Sequence, residues 1–188
     1  MAINVKNFET AVDVASFFGG GCKEFIEYSE KKTARDFWTS CTDPSWITWI
    51  AARLSNTTEE KQIVIEKISG LLKNDDYIKT DVFLTQYLQV IDNLSLINID
   101  QSYKDLNQFL HDNKKDGYVL DAYMSVRSFI LGIKFELENK EWHLNLASCV
   151  KSLCLSKSKR TEESLDLVMQ NMATELKTVF NFMNDVDI

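Results

Sequence analysis

TARDFWTSCTDPSWITWIAARL, running from Thr33 to Leu54, holds three of the chain's four tryptophans and its only proline. Thr33 followed three residues later by Asp36 fits a helix N-cap. The hydroxyl accepts an orphan backbone N–H, and the acid in the first turn meets the positive end of the helix dipole. The pair predicts a short helix from Ala34 to about Cys41. Asp43-Pro44 marks a second start, because Asp caps well and a proline at the first helical position has its φ pre-set and no N–H to leave unsatisfied. On the helix beginning at Pro44, Trp46, Trp49, Ile50 and Arg53 fall at helical neighbour spacing, and Trp38 on the preceding helix is placed to pack across the corner. Each tryptophan can bury roughly 200 Å², so three together make a dense hub. Such a hub is either a hydrophobic core, the usual fate of aromatic stripes at helical spacing, or a groove and protein-binding hot spot, for which tryptophan and arginine are favoured anchors.

On the N-terminal side, Phe8, Ala11, Val12, Ala15 and Phe18 share one face of a helix predicted over Val5 to Phe18, which Gly19-Gly20-Gly21 ends. The glycine triplet lacks the following Gly-Lys-Ser/Thr of a phosphate-cradling loop, so its expected role is a hinge or helix end. A helix from Cys22 to about Lys31 follows, with Cys22, Phe25, Ile26 and Tyr28 inward.

On the C-terminal side, Thr57 and Glu60 form a capping box for a helix in which apolar positions 64, 68, 71 and 72 outweigh the strand-like run Ile63-Val64-Ile65. Asn74-Asp75-Asp76 is the turn, and Phe83, Leu84, Tyr87, Leu88 and Ile91 mark a further helix from about Asp81. Leu94 to Ile99 alternates like an extended connector, after which Asp100 is expected to cap a helix that ends near Asp116-Gly117. Tyr118 to Glu138 is apolar enough to lie centrally. Trp142 to about Leu155 is the next helix, Ser156 to Arg160 a polar turn, and Thr161 the cap of a last helix. There Leu165, Met169, Met172, Leu176, Val179 and Met183 repeat in steps of four and three, a seam too short for a long supercoil and suited to packing within the domain.

These elements add up to an all-α fold, a single-domain bundle of about eight or nine helices with a tryptophan-rich N-terminal hub. It spans 1–188, with a conceivable division into a hub half, 1–93, and a long-helix half, 100–188. At 188 residues, 45% hydrophobic and 11% aromatic, the chain is long and apolar enough for one continuous core. Six glycines and one proline are few breakers, which favours helices.

The net charge of −7 argues against general nucleic-acid binding, where a basic surface supplies the affinity. No apolar run approaches the ~20 residues needed to span a bilayer, and the first residues lack a basic segment leading into an apolar one. A cytoplasmic protein with no membrane partner is expected. Cys22, Cys41, Cys149 and Cys154 lack CxxC spacing, so buried reduced thiols are expected in place of disulfides or structural zinc.

His111 and His143 have no companions at metal-ligand spacing, and nucleophile elbows, P-loops and dinucleotide fingerprints are missing from the chain. No catalytic, cofactor or metal residue is therefore assigned. Two surfaces remain as candidates for a partner or ligand: the hub residues Trp38, Trp46, Trp49 and Arg53, and the basic residues Lys151, Lys157, Lys159 and Arg160. The second belongs to a stretch, Trp142 to Arg160, without a single acid. Placed before a helix N-terminus, such cations would make an anion pocket.

Cys22, Trp38, Cys41, Trp46, Trp49 and Arg53 follow the order of a motif in which a cysteine precedes a tryptophan, a second cysteine, and then a W-[LI]-x-W-[LI] core before an arginine. Over Gly21 to Leu54 the chain thus resembles a small helical domain of bacteriophage and bacterial genomes, grouped as immunity-like or left without a function. The resemblance implies a phage or defence-associated setting, in the host cytoplasm. The favoured expectation is a non-enzymatic, phage-encoded interaction protein that binds and inhibits a host defence or toxin protein. The alternative is a small-molecule-binding protein that sequesters a nucleotide immune signal at the basic turn of Lys157, Lys159 and Arg160, with Trp142 or a hub tryptophan stacking the base.

Overall fold

The computed structural model describes Val14, residues 22–89 and residues 96–180. Thr33 accepts the Asp36 N–H at 3.1 Å and opens a helix, α2 (Ala34–Ser40), preceded by α1 (Lys23–Ser29). Asp43 accepts the Ser45 N–H at 2.8 Å, and with Pro44 in the first turn it starts α3 (Pro44–Leu54). Helices α2 and α3 thus begin where the local chemistry of the hub stretch directs.

The capping box forms in full at the head of α4 (Thr58–Asn74). Thr57 accepts the Glu60 N–H at 3.2 Å, and the Glu60 carboxylate accepts the Thr57 N–H at 3.0 Å and the Asn56 N–H at 2.8 Å. Thr57→Ala removes one arm of the box and is expected to cost about 1 kcal/mol. That corresponds to a fall of about 2–4 °C in the thermal midpoint for a chain of this size. A melt followed by circular dichroism that stays within a degree of the parent would show that the box adds no stability.

Five more helices follow: α5 (Val82–Gln89), α6 (Leu96–Asp112), α7 (Gly117–Leu137), α8 (His143–Thr161) and α9 (Leu165–Phe180), with a single 3₁₀ turn at Ile78–Thr80. No strand occurs among the described residues, and the fold is all-α. The centre is the pair α7 and α8, which the short connection 138–142 returns antiparallel. Ala122, Val126, Phe129, Ile130 and Ile133 of α7 are buried against it, as are Leu146, Cys149, Val150 and Leu153 of α8. The helices approach closely at Gly132, where an added Cβ would stand 3.0 Å from Leu146 Cδ2. Along its length α8 also packs on α3, α9 and α4, while α6 lies on α7. The seam of α9 faces inward: Met172 and Leu176 are buried, Leu165, Met169 and Val179 are half-buried against the core, and Val168, Ala173 and Phe180 beside them are buried too.

Polar contacts tie residues of the hub half to the long-helix half: Lys61 to Glu136 at 3.1 Å, Lys177 to the Thr39 carbonyl at 3.1 Å, and Arg160 to Asp75. Arg160 grips Asp75 with both Nη atoms, at 2.9 and 3.0 Å, while Asp75 also accepts the Tyr77 and Ile78 N–H groups. No helix among the described residues is long and apolar enough to cross a membrane.

The structure corrects several expectations. In α1 Phe25 and Ser29 are buried, one turn apart, and Tyr28 packs half-buried against the core as expected, but Cys22 is exposed and so is Ile26. Leu96 to Ile99 is helical, not an extended connector. Its two-residue alternation is coincidental, because Ile99 and Leu106 share one buried helix face, and Asp100 lies inside the first turns, paired with Lys104 and Lys134. Gly117 does adopt a positive φ of +54°, yet it opens α7, whereas α6 ends at Asp112. Ser156 to Arg160 continue α8, which closes with Glu162 in the left-handed region. Ser164, not Thr161, supports the head of α9, accepting the Leu167 N–H at 3.3 Å. The predicted helix over Val5 to Phe18 and the Gly19 to Gly21 triplet lie outside the described residues apart from Val14, as do Ile91 and Met183.

Candidate functional site: a cleft at the tryptophan hub

Phe25 stands at the centre of the hub. Its ring meets Trp49 at 5.0 Å and both Phe37 and Trp46 at 5.7 Å, all edge-to-face, the arrangement aromatic quadrupoles prefer. Trp38 and Trp49 are buried, whereas Trp46 is half-buried, leaning on Tyr28 at 5.2 Å. The hub is thus a core on one side and a wall on the other.

That wall borders a cleft of about 820 Å³ between α1, α3 and α8. Helical register builds it. Trp46, Trp49 and Arg53, spaced by three and four, form the α3 side, and Leu144, Ala147, Ser148 and Lys151 form the α8 side. The α8 positions lie opposite the face that carries Leu146, Cys149, Val150 and Leu153 into the core. Phe25 and His143 lie deep in the cleft, and Cys22 and Glu141 at its edge.

Two contacts organise the polar groups. The Arg53 guanidinium lies over the Trp49 ring at 5.1 Å, and the His143 ring meets the same indole edge-on at 5.8 Å. Burial, then the nearby Arg53 charge, hold the His143 pKa below its ordinary value, with Glu141 acting the other way, so His143 is neutral at pH 7. Among the described residues that line the cleft, Glu141 is the carboxylate beside Arg53 and Lys151, and the exposed Glu24 carboxylate lies near enough to Lys151 to feel its charge.

Of the eight candidate residues, Trp46, Trp49, Arg53 and Lys151 meet at this cleft. Trp38 packs into the core instead. Lys157, Lys159 and Arg160 sit at the far end of α8, and the anion pocket expected there does not form as drawn. Because residues 156–160 are helical, their charges lie at a helix C-terminus, where the dipole favours cations over anions. Acids already occupy them: Lys159 pairs with Asp121 at 2.6 Å, Arg160 with Asp75, and Lys157 lies near Asp76.

Sequence reasoning missed Glu141, His143 and the Leu144, Ala147, Ser148 face. Its signal was a stripe of small and polar residues in helical register with Lys151. Cys41, Cys149 and Cys154 are buried, and burial pushes each thiol up to about 12; Cys22 is exposed, contrary to the expectation of four buried thiols. No cluster of three or more metal-binding side chains occurs among the described residues. Comparisons with protein-family models, with curated proteins and with solved structures find no match, so the chemistry of the cleft rests on its own geometry.

Proposed function

We propose that the protein works by capture: it is a non-enzymatic helical binding protein that takes a small ligand into the hub cleft and so withholds it. The observation that carries this is the convergence of two tryptophans and two cations around one concavity of about 820 Å³, within the ~300–1,000 Å³ usual for small-molecule sites. Rings and cations line the cleft, and His143, kept neutral beside them, completes its wall. The resemblance over Gly21 to Leu54 supplies the setting, a phage or defence-associated one in which the ligand is a host immune signal.

A second role, docking of a host defence or toxin protein, draws support from Leu144, which is 55% exposed on the rim beside tryptophan and arginine, the composition of interface hot spots.

Native mass spectrometry of the protein purified from its host, before and after denaturation, separates the two. Capture predicts a small mass difference that denaturation removes and that the Trp46→Ala variant retains at least ~10-fold less well, the loss expected for one stacking platform. A stoichiometric protein in its place supports docking. A bare mass, together with no change in tryptophan fluorescence on adding deproteinised host extract, rejects capture.

A further inference from the structure

We infer that the captured ligand is an uncharged planar aromatic molecule, its ring against Trp46 and its apolar surroundings completed by Leu144 and Ala147 of α8. This rests on the capture role proposed above and names the chemistry of its ligand.

Three features of the cleft select that chemistry. The first is the ring of Trp46. Phe25 meets it edge-on at 5.7 Å and Tyr28 leans on it at 5.2 Å, yet Trp46 is only half-buried and lines the cleft. An indole anchored by two neighbours and still partly presented is a stacking platform, with little side-chain entropy left to lose when a planar ring settles on it.

The second is the make-up of the α8 side. Leu144 and Ala147 stand three residues apart on one face of the helix, and both line the cleft. Leu144 is 55% exposed, so a ligand that covers it removes a large apolar side chain from water, which is favourable. Ala147 carries a single methyl group and takes up little of the space. Neither side chain offers a charge or a hydrogen bond. An indole on one helix and aliphatic groups on the other suit a thin apolar body.

The third is the state of the charges. Arg53 lies over the Trp49 ring at 5.1 Å and is engaged by a further contact as well. Lys151 has the Glu24 carboxylate near enough to feel its charge. Glu141 lines the same cleft, and His143 beside it is held neutral. Cations and carboxylates thus mix around the opening, and neither sign stands alone. An entering phosphate would meet Glu24 and Glu141, and an entering ammonium would meet Arg53 and Lys151. Either ion sheds hydration against a like charge. A neutral ring escapes that cost and keeps the gain from apolar burial.

Calorimetric titration of the full chain with naphthalenemethanol, naphthoate and naphthylmethylammonium tests the assignment, because the three probes share one ring system and differ in charge. Naphthalenemethanol is expected to bind ~10-fold or more tightly than either ion, and by a similar factor more tightly than cyclohexanemethanol, which has no π face to stack. Its affinity should change by less than about twofold between low and high salt, since no ion pair is there to be screened. Trp46→Ala should weaken it by ~10-fold, and Trp46→Phe, which keeps an aromatic face, should restore most of the loss.

An ion that binds as tightly as the alcohol would overturn the inference while leaving capture intact. So would a retained host ligand that carries a charge or lacks an aromatic ring. Equal affinity for naphthalenemethanol and cyclohexanemethanol would overturn it too, since the cleft would then read apolar bulk and not a ring. A retained host ligand that is neutral and aromatic would support it even with the probes unbound. Neither probe binding nor a retained small molecule would sink both.

Discussion

Phe25→Ala is expected to destabilise the protein by about 3–5 kcal/mol, the range for removing a large buried aromatic side chain. Phe25 is 2% exposed and its ring meets Phe37, Trp46 and Trp49, so alanine removes its contacts with three rings and leaves a void that rigid indoles cannot fill. The loss also falls unevenly. Helix α1 has seven residues and buries only Phe25 and Ser29 fully, with Tyr28 half-buried against Phe37 and Trp46, so Phe25 is the main ring that holds it in place. In urea titrations the midpoint should fall with the slope little changed, and the near-ultraviolet dichroism of the tryptophans should weaken while the far-ultraviolet helical signal persists. Phe25→Leu should lose clearly less. A Phe25→Ala cost under about 1 kcal/mol would mean that the ring cluster repacks and that its geometry is not what holds α1.

The second large effect is expected at Asp75. Its side chain is 5% exposed and that of Arg160 is 19% exposed. Asp75→Ala strands the guanidinium and removes the acceptor for the Tyr77 and Ile78 N–H groups. Breaking a pair this buried from one side costs about 3–5 kcal/mol, much of it the penalty of the charge left behind. The Asp75→Leu, Arg160→Met double substitution should therefore be less destabilising than Asp75→Ala alone.

The pair also carries a pH signature. Burial on its own would raise the Asp75 pKa, but the Arg160 hydrogen bonds, backed by the Ile78 and Tyr77 N–H groups, outweigh it and hold the carboxyl below its ordinary value. A pKa depressed in the folded state gives stability that is complete above the unfolded value near ~3.9 and drains away as pH falls through the lower folded value. Stability measured from pH 6 down to pH 2 should therefore fall below about pH 4 by more in the parent than in Asp75→Ala. Parallel acid profiles would show that the pair adds no pH-dependent stability.

Much of the fold is written in short-range chemistry. Thr33 with Asp36, Asp43 with Pro44 and Thr57 with Glu60 each start a helix where their side-chain oxygens meet orphan N–H groups, and such signals need nothing beyond four neighbouring residues. What escaped depends on partners far along the chain. Ser156 to Arg160 looks like a turn because it offers no apolar side chain, yet Ser156 is buried with its hydroxyl on the Tyr118 carbonyl at 2.8 Å. Lys159 and Arg160 are met by Asp121 and Asp75, 38 and 85 residues away. Nothing local announces those acids.

The candidate site divides in the same way. Trp46, Trp49 and Arg53 share one face of one helix, so their convergence follows from spacing alone. Lys151 joins them only because α7 and α8 close on each other at Gly132 and fix the rotation of α8 about its axis. Trp38 went the other way because its helix, α2, lies on the core side of the Phe25 ring cluster, where Phe37 is also buried.

Helix α8 keeps its two duties on two faces. One set of positions, Leu146, Cys149, Val150 and Leu153, is committed to the interior; another, Leu144, Ser148 and Lys151, is open to solvent along the cleft. Surface changes away from buried partners usually stay within about 0.5 kcal/mol, so the second set can drift or be engineered while the first is left untouched. Under the capture role proposed above, what the cleft recognises can change several times over without any change in how the chain folds.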